Sequence, residues 1–357
     1  MLRLAGTLAL GATGGYLLYK LRTPLPWMLG SMLFVTVAAL LKAPIGFSMP
    51  LRMCMAIVLG TFLGSAFSPE ILDRLSDWAG GVAVMIVFVA VATTISVAFF
   101  VKYGRLDRIT AFFSGTPGGL GAMAIIGEQE GGDPKVIPLV HTVRIFVVVF
   151  AIPFYLLIVE HLEVPRGNMT MSSRPDADLL ELLILGVCAT AGFGIAKLIR
   201  LPGAQIVGPM ILSAIVYLAD GVQGAPPGAL IAMAQIVIGA GIGARFHGVN
   251  VRELLRPLLL GLSSGILMMA AAILIAVVMG PYLGLSSHAL ILALAPGGVA
   301  EMSLIALALD VDTAFIATMH IVRIVLIVSL APLIFRLLGW SRVAPVAPAS
   351  ERPEPPG

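Results

Sequence analysis

Long apolar stretches follow one another along this chain, separated by short polar joints. Stretches long enough to cross a bilayer run near Leu4–Leu21, Leu25–Leu41, Leu51–Phe67, Trp78–Val101, Ile109–Gly127 and Val136–Val159. They run again near Leu179–Ile199, Ala204–Ala219, Leu230–Ala244, Leu254–Val278, His288–Leu309 and Asp312–Leu338. A membrane helix needs about 20 largely apolar residues, so the pattern predicts spanning helices and an all-α polytopic membrane protein with 10 to 12 membrane segments. The most polar stretch, Glu160–Asp178, carries Pro165, Gly167, Ser172, Ser173 and Pro175 and divides the series in two. The predicted domains are a first membrane repeat (1–159), a linker (160–178), a second membrane repeat (179–338) and a Pro-rich tail (339–357), whose composition cannot bury a core and is expected to be disordered.

The two halves repeat one another. Pro117, Gly118, Gly119, Met123, Asp133, His141, Arg144 and Pro153 recur 179 residues later as Pro296, Gly297, Gly298, Met302, Asp312, His320, Arg323 and Pro332. Over 117–153 there are 13 identities with no gap, where composition predicts roughly one match in ten. Arg22, Pro24 and Gly30 likewise return as Arg200, Pro202 and Gly208, so the N-terminal apolar run is expected to be a span and not a cleaved leader. Duplication makes Pro-Gly-Gly inside one apolar stretch, and His and Arg one turn apart inside the next, the features to explain.

Composition agrees with the class. Of 357 residues, 59% are hydrophobic and 11% charged, where a soluble domain carries about a quarter charged. The net charge of +3 comes from loop Lys and Arg that form no basic stripe with interleaved aromatics, so no nucleic-acid partner is expected. Cys54 and Cys188 do not match between the repeats and read as small core hydrophobes, not as a disulfide or metal pair. If all twelve stretches cross, loop Lys and Arg divide 11 against 9. If the two Pro-Gly-Gly stretches enter and leave on one side, each half has five crossings and the halves are inverted. The division then becomes 15 against 5, with Arg144 and Arg323 inside the membrane, and the positive-inside rule prefers this arrangement. Both termini are then expected to be cytoplasmic.

Proline lacks the amide hydrogen and clashes with the preceding turn, and glycine bends freely, so a helix is expected to be broken or re-entrant at Pro117, Gly118, Gly119 and at Pro296, Gly297, Gly298, with Thr116 at its edge. A half-helix starting after Gly119 or Gly298 turns its positive end into the gap, a site for an anionic group. The alternative is a kink healed by neighbouring helices. The i, i+3 spacing puts His141 on the same face as Arg144, and His320 on that of Arg323. A deep Arg needs a partner. Either the two guanidiniums hold a substrate anion, or they cap carbonyls freed by the break, or both. His141 and His320 either carry a coupling proton or, neutral, bond the opened backbone. Glu301, where the first half has Ala122, is either a proton or cation site or an acid in the first turn of a half-helix. Asp133 and Asp312 read as helix caps, and Gly60, Gly64, Gly239 and Gly243 as close helix packing.

The duplicated unit from Pro117 to Arg144 and from Pro296 to Arg323, with Arg22-x-Pro24 to Gly30 and Gly60 to Gly64, resembles the AbrB-type duplicated bacterial membrane family, whose members are often labelled ammonia monooxygenases. Its name is shared with a small soluble DNA-binding regulator, which nothing in this chain resembles. The resemblance implies a transporter-like protein of the bacterial inner membrane, with export as one direction it allows, and carries no individual residue role.

No cofactor motif, catalytic triad order or phosphate loop occurs. Two duplicated histidines, each beside an Arg, make a poor metal centre, so no enzyme activity, cofactor or metal is expected. The function expected is secondary transport of a small anionic organic substrate, coupled to H+ or Na+. Arg144, Arg323, Thr116 and the two Pro-Gly-Gly segments bind it, and His141, His320 or Glu301 couple it to the ion. A membrane-embedded ligand-sensing regulator and, behind it, a metal-dependent enzyme are the alternatives. Glycine-rich faces would permit a homodimer.

Overall fold

The computed structural model describes residues 2–69, 71, 75–162, 175–249 and 251–340. Most of the linker and nearly all of the Pro-rich tail lie outside the described residues, as do a few positions in two loops. Among the described residues the chain is helical, with no strand beyond one isolated bridge between Asp176 and Ala225. The first half forms α1 (Leu2–Lys20), α2 (Pro26–Leu40), α3 (Met49–Leu63), α4 (Leu75–Lys102), α5 (Arg108–Gly115), α6 (Leu120–Gln129) and α7 (Val136–Ile158). The second half repeats this order as α8 (Leu179–Leu198), α9 (Ala204–Leu218), α10 (Gly228–Gly243), α11 (Val251–Leu283), α12 (Ser287–Leu294), α13 (Val299–Ala308) and α14 (Thr313–Leu337). A short 3-10 turn follows both α3 (Gly64–Ala66) and α10 (Ala244–Phe246).

Seven of these helical segments are long and apolar enough to cross a membrane. They include α4, α7, α8, α14, most of α11, and α3 and α10 each with its 3-10 turn. The chain is a polytopic membrane protein. α2 and α9, at 15 residues each, rise about 22 Å, short of a full hydrocarbon core. Each Pro-Gly-Gly stretch gives two pieces of half length, α5 with α6 and α12 with α13.

The halves interlock. α2 packs on α10 and α9 on α3, so α1–α3 and α8–α10 form one body. α4 and α7 pack on α11, and α14 on α4, so α4–α7 and α11–α14 form the other. Glycine permits the tightest crossings. A Cβ at Gly60 or Gly64 would strike the backbone of α9, one at Gly239 or Gly243 that of α2, and one at Gly30 or Gly208 that of α1 or α8. Corresponding helices α4 and α11 run antiparallel, since Arg256 near the start of α11 donates to the carbonyls of Gly104 and Arg105 just past the end of α4. Within the first half, α5 and α6 fold back on each other. The Asp133 amide beyond α6 donates to Thr110 Oγ1 in the first turn of α5, at 2.9 Å.

Asp312 caps α14, accepting from the Phe315 amide, whereas Asp133 takes the amides of Lys135 and Val136 just ahead of α7. Cys188 is buried, as its apolar setting suggests, but Cys54 is exposed on α3 and is no core residue. In a membrane helix the outward face is as apolar as the inward one, so apolar neighbours do not mark the interior.

Candidate functional site

α5 stops at Gly115 because Pro117 cannot continue the ladder, and α6 restarts after Gly119. The same happens between Leu294 and Val299. Each stop leaves carbonyls without helical partners, and the next long helix supplies them. His141 on α7 donates from Nε2 to the Phe113 carbonyl at 2.8 Å. Arg144 donates to the carbonyls of Ser114 (3.2 Å) and Thr116 (3.3 Å), and from the same terminal nitrogen to His141 Nδ1 (2.8 Å). On α14 the set recurs. His320 Nε2 donates to Leu292 (2.9 Å), and Arg323 donates to Leu294 (3.3 Å), Ala295 (2.6 Å), Gly297 (2.7 Å) and His320 Nδ1 (2.9 Å).

All four side chains are at most 2% exposed. A guanidinium at the carbonyl end of a half-helix also faces the negative end of its dipole. This is the carbonyl-capping alternative. It accounts for the deep arginines without needing Glu301, and it places a cation where peptide oxygens and not a carboxylate balance it. Capping leaves two N–H over on Arg144, one of them on Nε, and only that of Nε on Arg323. Nε of Arg144 and of Arg323 is buried without a hydrogen-bond partner among the described residues, as is Oγ of Ser114 beside Arg144. The two guanidiniums lie close enough for their charges to act on each other.

The histidines are committed on both ring nitrogens. Nδ1 accepts from arginine and Nε2 donates to a carbonyl, which requires the neutral Nε2–H tautomer. A second proton on Nδ1 would face an arginine N–H, and a metal would find no lone pair free. Among the described residues no group of three or more His, Cys, Asp or Glu is placed to hold a metal ion.

The two restarts differ. At α13 the carboxylate of Glu301 folds back over Gly298, so closely that a Cβ there would overlap its Oε2. Glu301 is buried in the first turn, where the helix dipole favours an acid. At α6 the position belongs to Ala122. Gly119 and Gly121 have nothing within 4 Å of where a Cβ would stand; Gly119 is partly exposed and Gly121 exposed. Gly118 packs on Ile327 of α14, so the first break abuts the second half.

Around the breaks, the turn after α3 lies on α14, and the turn after α10 sets Phe246 against Phe146 of α7, ring centroids 5.9 Å apart. That second turn also carries Arg245, whose charge interacts with those of Glu301 and Arg52. Arg245 is a site residue the motifs did not single out. One signal was available, because Ala66 stands where Arg245 does at the 179-residue offset, as Ala122 stands where Glu301 does.

The family model described as transition state regulatory protein AbrB matches residues 27–339. The chain belongs to the AbrB family. An uncharacterised protein, YhjN, of Bacillus subtilis (strain 168) is 27% identical over 352 residues, covering 93% of this chain and 92% of that protein. A protein named as a regulator, AbrB, of Escherichia coli (strain K12) is 25% identical over 285 residues, covering 79% of this chain and 81% of its own.

Proposed function

We propose that this AbrB-family chain is a secondary active transporter of a small anionic organic substrate, bound at the restart of α6 between the two His–Arg helices. The observation that carries it is the contrast between the breaks. α13 has its own carboxylate folded over its N-terminal end, while α6, built alike, presents the same positive end with space and no acid. An external carboxylate or phosphate supplies there what Glu301 supplies at α13. Three features support the transporter architecture. Corresponding helices α4 and α11 run antiparallel, α5 and α6 return to the side they entered from, and the second break meets the other body where α13 packs on α3. With the positive-inside count, these features support cytoplasmic termini and a bacterial inner membrane.

In this scheme Arg144 and Arg323 hold the broken ends in place and lend positive potential, with the Nε of each to spare. The histidines orient the arginines, and Glu301, whose charge acts on Arg245, is the candidate for the coupling proton or cation. The site binds and does not catalyse.

The test is thermal stabilisation of the detergent-purified protein by a panel of carboxylates and phosphates, in wild type, Ala122→Glu and Glu301→Ala. A Tm rise with an anion that vanishes in folded Ala122→Glu, whose new carboxylate occupies the α6 end, supports the site. A rise that persists in Ala122→Glu, or no rise with any anion, overturns it. The E. coli relative's name as a regulator favours one second reading, a membrane-embedded sensor. Flux of the stabilising anion into liposomes separates the two, because a sensor binds without moving its ligand.

A further inference from the structure

α7 and α11 close on each other. Gly261 of α11 leaves the room that Val143 enters, and an added Cβ would lie 2.6 Å from that of Val143. On the corresponding side of the other half, α4 and α14 part around a cleft of about 640 Å³, floored by α5. Its walls are apolar, from Val97 on α4 to Leu330 and Ile334 on α14, and its deep end reaches Thr116 at the first break. One charge borders it, Arg108, at the end where Trp340 and Leu338 also stand. The Arg108 guanidinium lies 5.7 Å from the centre of the Trp340 ring and makes no ion pair among the described residues. From Leu326 to Leu338 the cleft runs about 18 Å along α14, by the helical rise.

We propose that this cleft binds a single-tailed anionic amphiphile drawn from the bilayer, its apolar tail along α4 and α14 and its carboxylate on Arg108. The cleft opens between two membrane-crossing helices, so an apolar tail enters from lipid without crossing water. One groove of this volume lies within the range of single-ligand sites, roughly 300–1,000 Å³. Arg108 and Trp340, at the helix ends, set the head at interface depth, where arginine and tryptophan are both at ease. Charge complementarity selects the acid over a neutral tail. The chain's own tail is no match for the cleft, since residues 341–357 are rich in Pro and polar residues. The inference goes beyond the transport reading and stands or falls separately from it, because occupancy is measured without flux.

The experiment uses the full chain in phosphatidylcholine liposomes with a photoactivatable palmitate carrying its diazirine in the tail. Labelling is expected on α4 and α14 at the cleft, displaced by unlabelled palmitate and about tenfold less well by hexadecanol, the difference one charge-assisted hydrogen bond makes. Arg108→Gln is expected to cut labelling by a similar factor, and Ala98→Trp, which fills the cleft from an exposed position of α4, to abolish it at unchanged Tm. Equal displacement by hexadecanol, or labelling unaffected by Ala98→Trp, overturns the site as ordinary lipid contact. Displacement by phosphatidylglycerol as effective as by palmitate overturns the single-tailed ligand in favour of a bilayer phospholipid.

Discussion

The two Pro-Gly-Gly breaks are built alike where the first half-helix ends and differently where the second begins. At both ends a His–Arg pair from the following long helix holds three or four carbonyls, the histidine bonds equivalent in the two halves and the arginine bonds differing in their carbonyls. At the restarts, Glu301 covers Gly298, while among the described residues no atom lies within 4 Å of a Cβ placed at Gly119. The contrast separates two jobs that a deep arginine is easily asked to do at once. Holding the break is needed twice and was kept twice. On the transport reading, an anion needs one open end, and the other is filled from within the chain.

The strongest way to break that comparison is to remove a guanidinium. Arg323 serves three carbonyls and Arg144 two, so Arg323→Met is expected to cost about 3–5 kcal/mol and Arg144→Met somewhat less, measured by denaturant unfolding in detergent. Losses below about 1 kcal/mol for both would mean that neither break depends on its cap. Next is the body that carries neither break. Gly64→Ala and Gly243→Ala each drive a methyl into a facing backbone, for about 1–3 kcal/mol apiece by the same measurement, and clearly unequal losses would show that the halves do not share this packing. Exchanging the acid sharpens the contrast at smaller amplitude. Glu301→Ala is expected to lose about 1 kcal/mol of helix-end stabilisation, and Ala122→Glu to recover a similar amount at α6, read as opposite Tm shifts. Smallest is Gly121→Ala, in helix and facing open space, expected to stabilise by about 0.5–1 kcal/mol while weakening any anion at that end.

Much of this was legible beforehand, for reasons that can be named. The breaks at Pro117 and Pro296 follow from what proline and glycine do to any helix, and the pairing of His141 with Arg144 from helical spacing. The glycines at 60, 64, 239 and 243 announced close packing by their interval. Arg245 was less visible, since only the comparison of its position with Ala66 betrays it. Cys54 was misplaced, because an apolar neighbourhood in a membrane chain describes lipid as well as core. Nor does any local pattern say whether a guanidinium meets a carboxylate, an anion or a peptide oxygen.

By itself the sequence determined the helical membrane class, the duplication, and the positions where helices must stop and restart. These depend on local terms, namely hydropathy over about 20 residues and the backbone limits of Pro and Gly. Only the tertiary structure decided that Arg144 and Arg323 are engaged by carbonyls some 28 residues upstream, that Glu301 turns back on its own helix, and that α4 and α14 part where α7 and α11 close. Those outcomes rest on which helix faces meet, and in a chain apolar on every face hydropathy does not choose among them. Steric fit and the pairing of buried polar atoms do.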